Sequence, residues 1–120
     1  MENKEYLKIE RKNRGGKELK IDMETIGATL VVKIDGEIDH HTAKELKVDI
    51  DREIYVKNIS NLVLDFDRVT FMDSSGIGVI AGRYKEIKAR GGKVMVIRVK
   101  PQVDKILEIS GLKSILNCQS

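Results

Sequence analysis

The chain has 120 residues, 41% hydrophobic and 34% charged, a balance that fits one folded domain and excludes a disordered or fibrous protein. No apolar leader or membrane-length run is present, and the single cysteine, Cys118, can form no internal disulfide, so a reducing, cytoplasmic setting is expected. The net charge of +3 lies in residues 1–17, where six basic side chains stand against three acidic ones; the other 16 basic and 16 acidic groups cancel, which argues against a nucleic-acid-binding face.

In chain order, residues 1–17 form a polar, basic N-terminal arm closed by Gly15-Gly16, with Tyr6, Leu7 and Ile9 able to add a short edge strand. Residues 18–120 form the domain. Leu19, Ile21 and Met23 alternate, a turn falls at Ile26-Gly27, and residues 29–34 return as a second strand ended by Asp35-Gly36. Ala43, Leu46, Ile50 and Ile54 recur at helical spacing behind Asp39 or Thr42 as the cap. Residues 62–66 read as a buried strand. Ile77, Ile80, Ala81, Tyr84 and Ile87 make a second helical stripe, stopped by Gly91-Gly92, with Arg83 and Lys85 on its exposed side. Residues 93–97 are the next strand. Pro101 opens a third helix that ends at Gly111, and Ile115-Leu116 begins a last strand.

An initial hairpin followed by alternating helices and strands predicts an α/β fold, with a mixed, mainly parallel sheet and crossover helices. In such a sheet the loops after the parallel strands gather on one edge, where ligands and partners bind. The loop at Asp39-His40 and the loop at Asp73-Ser74-Ser75 should therefore lie side by side.

Ser74 stands just before a helical stripe, and its simplest role is an N-cap. A helix start also favours a phosphate, through free N–H groups and the positive end of the dipole. A phosphoryl group there would add about −1.5 to −2 charges beside Asp73 and expel a closely fitted partner. Rival chemistries are poorly served. The hydrolase elbow G-x-S-x-G has Met72 where glycine is required. Residues 76–81 match G-x-G-x-x-G/A, but residues 68–72 separate the expected strand from Asp73, and no acidic ribose ligand ends the next strand. The small residues instead let the helix approach the sheet. Glu37 and Asp39 form a carboxylate pair without a defined pocket. Adjacent His40 and His41 diverge, and with one cysteine no metal site is expected. No cofactor is expected.

Three separated motifs, residues 36–43 (GEIDHHTA), 71–80 (FMDSSGIGVI) and 82–85 (GRYK), closely resemble bacterial anti-sigma factor antagonists with a STAS domain, nearest the sporulation type. The resemblance spans about residues 19–117. It implies a protein that is not an enzyme but binds an anti-sigma factor, itself a serine kinase, and so releases a sigma factor. It implies phosphorylation on Ser74, with Ser75 the neighbouring alternative, and reversal by a PP2C-type phosphatase. Glu37, Asp39, His40 and the segment Asp73, Ser74, Ser75, Gly76, Ile77 and Gly78 would form the docking face. A STAS module of a general stress pathway is the alternative reading. Neither direct nucleic-acid binding nor a membrane partner is implied. The chain departs from the family in its longer N-terminal arm and in stopping soon after the last strand, which would leave part of the core for the arm or another chain to cover.

Overall fold

The computed structural model describes residues 4–12 and 18–119, with backbone alone for Lys12 and residues 117–119. The elements run β1 (Lys4–Lys12), β2 (Glu18–Ile26), β3 (Thr29–Ile38), α1 (His40–Val56), β4 (Asn61–Met72), α2 (Ser74–Ala89), β5 (Val94–Ile97), α3 (Pro101–Ile109), a 3-10 turn (Leu112–Ser114) and β6 (Asn117–Gln119). Among the described residues six strands form one sheet in sequential order. β1, β2 and β3 are antiparallel; β3 through β6 are parallel.

That order places the core. Each parallel crossover steps the same way along the sheet, and right-handed crossovers then put α1, α2 and α3 on one face. Alternation along the strands supplies that face. Leu19, Ile21 and Met23 of β2, Leu30, Val32 and Ile34 of β3, and Leu62, Leu64 and Phe66 of β4 are all buried in one cluster. Leu46, Ile50 and Ile54 of α1, Ile80 and Ile87 of α2, and Val103 and Leu107 of α3 close over them. Burying each such side chain stabilises the fold by roughly 1.5–3 kcal/mol. Lys20, Asp22 and Lys33 alternate onto the opposite face, which meets solvent. Among the described residues no helix is long and apolar enough to cross a membrane.

Several boundaries differ from the sequence-based expectation. β3 does not end at Asp35-Gly36 but runs on to Ile38, with register shifts on either side of Asp35-Gly36. Gly36 has φ +136°, and a Cβ there would lie 2.7 Å from the Glu18 carbonyl oxygen, so the bulge needs glycine. β4 is twelve residues long rather than five, because residues 68–72 pair with the extended β3. The polar content of that stretch hides a strand that tertiary pairing stabilises. The last strand starts at Asn117, and Leu116 packs into the core before it. The edge strand expected at Tyr6–Ile9 is a nine-residue strand paired with β2 over its whole length. Gly15-Gly16 and the Cys118 side chain lie outside the described residues.

Candidate functional site

Ile38 and Met72 are register partners in β3 and β4, and each is followed by an aspartate that caps a helix. Asp39 accepts from the backbone N–H groups of His41 and Thr42, both at 2.9 Å. Thr42 Oγ1 accepts from the Asp39 N–H at 2.9 Å and donates to the Glu37 carbonyl at 2.8 Å, completing a capping box. The Thr42 N–H in particular holds the Asp39 carboxyl below the usual carboxylate range. Of the two expected caps, Asp39 is the N-cap and Thr42 its reciprocal partner.

The second helix corrects the sequence reading. Asp73, not Ser74, is the N-cap, accepting from the Ser75 N–H at 2.8 Å. β4 runs directly into Asp73, whose backbone is still extended as an N-cap requires, and the helix begins one residue later at Ser74. Ser74 is the first helical residue, exposed, and no hydrogen bond engages its hydroxyl among the described residues. An oxygen so placed is open to an external reagent.

The two loops do converge. The Asp73 N–H donates to the Ile38 carbonyl at 3.2 Å, which brings Asp39-His40 and Asp73-Ser74-Ser75 onto one sheet edge. His40, Ser74 and Gly78 are exposed, and Glu37, Asp39, Asp73, Ser75 and Ile77 are partly so. Gly76 is buried. A Cβ on it would lie 2.3 Å from Met72 Cγ and 3.1 Å from Ile38 Cγ2, so Gly76 is what lets α2 descend onto β3 and β4. Gly78 has nothing within 4 Å of such a Cβ and plays no part in that packing, against the expectation that the small residues act together. The His40 and His41 rings do not diverge; they meet edge to face at 5.3 Å.

The expected gap before Asp73 does not exist, so the case against a dinucleotide fingerprint rests on the next strand, where β5 is followed by basic Arg98 rather than an acid. Arg83 is not on the exposed side. It is 7% exposed and pairs with Asp51 of α1 at 2.9 Å, which ties the two helices together. Phe71, which opens the second motif but carries no expected site role, is 46% exposed three residues before Ser74. The signal for it was an aromatic residue directly ahead of a buried Met72.

The fold that carries this site has counterparts among known proteins. Residues 20–120 match the STAS domain, and the chain belongs to that family. It is 42% identical over 98 residues to an anti-sigma F factor antagonist of Paenibacillus polymyxa, covering 82% of this chain and 84% of the relative. The structure of the anti-sigma factor antagonist SpoIIAA in its unphosphorylated form superposes with a TM-score of 0.74 at 30% identity, covering 83% of this chain and 88% of that one. The Bacillus cell fate determinant SpoIIAA in its phosphorylated form gives 0.67 at 29% identity, covering 83% and 91%.

Proposed function

We propose that this chain is an anti-sigma factor antagonist of the sporulation type, working in the cytoplasm, whose binding is switched off by phosphorylation of Ser74. The observation that carries the reading is the exposed Ser74 hydroxyl, unbonded among the described residues, at the first turn of α2 on the edge shared with Asp39 and His40. Its support is the likeness to anti-sigma F antagonists and to a relative known in unphosphorylated and phosphorylated forms. The partner is an anti-sigma factor with serine kinase activity. It docks on Glu37, Asp39, His40, Asp73, Ser74, Ser75, Ile77 and Gly78, while buried Gly76 sets the height of the helix beneath them.

In the free state the edge presents a small hydroxyl and two aspartates already committed to capping. The kinase transfers the γ-phosphoryl group of ATP to Ser74 Oγ: the Oγ–P bond forms as the bond from the γ-phosphorus to the β-phosphate oxygen breaks, ADP departs, and the hydroxyl proton passes to a base of the kinase and on to solvent. The new dianion, about −1.5 to −2 charges, then sits next to the Asp73 carboxylate. Repulsion and bulk at the centre of the contact drive the partner off, and a PP2C-type phosphatase resets the hydroxyl. Gly78 and Gly82 leave the outward backbone of α2 uncovered, which lets a partner approach closely.

The test is a pull-down and titration with the cognate anti-sigma factor. Ser74→Ala should bind at least as well as the wild type, Ser74→Asp should bind poorly, and mass spectrometry after incubation with kinase and ATP should place the phosphate on Ser74 rather than Ser75. Phosphate on Ser75 alone, or equal binding by the two variants, would sink the proposal.

A further inference from the structure

We propose that a second copy of this chain docks on the free edge of β1, antiparallel, about a two-fold axis through Ile9. β1 pairs with β2 from Lys4↔Ile26 to Lys12↔Glu18, and none of the described residues pairs with its other side. Nine residues of unpaired backbone are a template for another strand. The family match begins at residue 20, so β1 lies outside the matched stretch.

The side chains of β1 favour a copy of itself. Glu5, Leu7, Ile9 and Arg11 alternate onto the helix-covered face, where Arg11 reaches Asp49 and Glu5 meets Lys57. β1 nevertheless projects past the helices. Leu7 is 38% exposed, Ile9 is half-buried, and a gap of about 120 Å³ opens beside Leu7 between Met23, Thr25 and Glu53. Tyr6, Lys8 and Glu10 occupy the solvent face, with Tyr6 Oη donating to Glu24.

Charge on an edge strand ordinarily blocks pairing, and the register decides whether it does so here. Only even shifts keep like faces together. A two-fold at Lys8 sets Lys8 against its own copy and Lys4 against Lys12, both repulsive. One at Leu7 sets Glu5 against Ile9. A two-fold at Ile9 sets Lys8 against Glu10 of the other copy, twice by symmetry, and Ile9 against Ile9, with the Arg11 stem over Leu7. Among the described residues that register sets no like charges opposite one another, joins Lys8 to Glu10 twice and stacks Ile9 on Ile9 at the axis.

Sedimentation equilibrium on the full chain tests this. A reversible dimer is expected. Lys8→Glu and Glu10→Lys should each weaken it about tenfold, since each creates two like-charge contacts. The two single variants mixed should form a heterodimer, and the double variant Lys8→Glu/Glu10→Lys should recover wild-type association. Lys8 and Glu10 also stand opposite Asp22 and Lys20 of β2, so thermal melts of all three variants accompany the measurement: a loss within the protomer would be deepest in the double variant, whereas the contact between copies predicts that this variant recovers. A chain that stays monomeric at concentrations on the order of 100 µM, or a dimer indifferent to these reversals, would overturn the proposal. Neither outcome bears on Ser74 binding.

Discussion

The backbone N–H of Asp73 donates to the carbonyl of Ile38 at 3.2 Å, so the last residue of β3 holds the cap of α2 in place. The same strand end leads straight into Asp39, the cap of α1. The two helix starts are thus one assembly, stitched across a parallel strand pair, and Ser74 takes its position from that assembly rather than from a loop of its own.

Because the carboxylate caps the helix, the serine is dispensable to the fold. Asp73→Ala should cost about 1 kcal/mol and lower the melting temperature by several degrees. Ser74→Ala should stay within ~0.5 kcal/mol of the wild type. Thermal melts of the two variants, side by side, decide the matter. An equal loss for both would return the capping role to the hydroxyl and remove the premise that it is unengaged.

The two glycines of the α2 start should respond in opposite ways. Gly76→Ala drives a methyl group into Met72 and Ile38, and should cost about 1–3 kcal/mol through overpacking. Gly78→Ala meets open space and should stabilise the helix by roughly 0.5–1 kcal/mol. Denaturant titration reads both. If the docking edge works as proposed, Gly78→Ala should also weaken partner binding despite the firmer fold.

Acid should act through two carboxylates. Backbone N–H donors, chiefly that of Thr42, hold Asp39 low. Burial pushes the Asp65 carboxyl up, but the Arg98 guanidinium and the Asp67 N–H outweigh it and leave that group low as well. A folded value below the unfolded one of about 3.9 means the stabilisation is complete above that pH and is lost as pH falls through the folded value. Unfolding midpoints in urea should therefore drop below about pH 4. Asp39→Asn, which can still cap but cannot titrate, should flatten that slope; an unchanged slope would exclude Asp39 as a source.

The parts legible in the sequence were those set by period and punctuation. Leu19-Ile21-Met23 alternates too cleanly for a helix, Pro101 and Gly111 bracket α3, and the strand–helix order alone predicts the meeting of the Asp39 and Asp73 loops. What stayed hidden depends on partners distant in the chain. Residues 68–72 carry arginine, threonine and an exposed phenylalanine, and become strand only because bulged β3 lies alongside. Arg83 reads as solvent-facing until Asp51, thirty-two residues earlier, offers it a counter-charge under cover. The cap fell one residue from where spacing put it, since periodicity fixes a helix to within a turn and not which of two adjacent oxygens faces its N–H groups.

Arg11 reaches from β1 to Asp49, whose side chain is wholly enclosed, with contacts of 3.0 and 2.6 Å; Arg52 stands farther off at 3.6 Å. A chain cut back to the residues the family model matches, 20–120, would lose that guanidinium, leave an enclosed carboxylate with only the more distant Arg52 and turn β2 into a bare rim. The leading ribbon is thus a splint for the domain, and a version trimmed of it must also neutralise position 49.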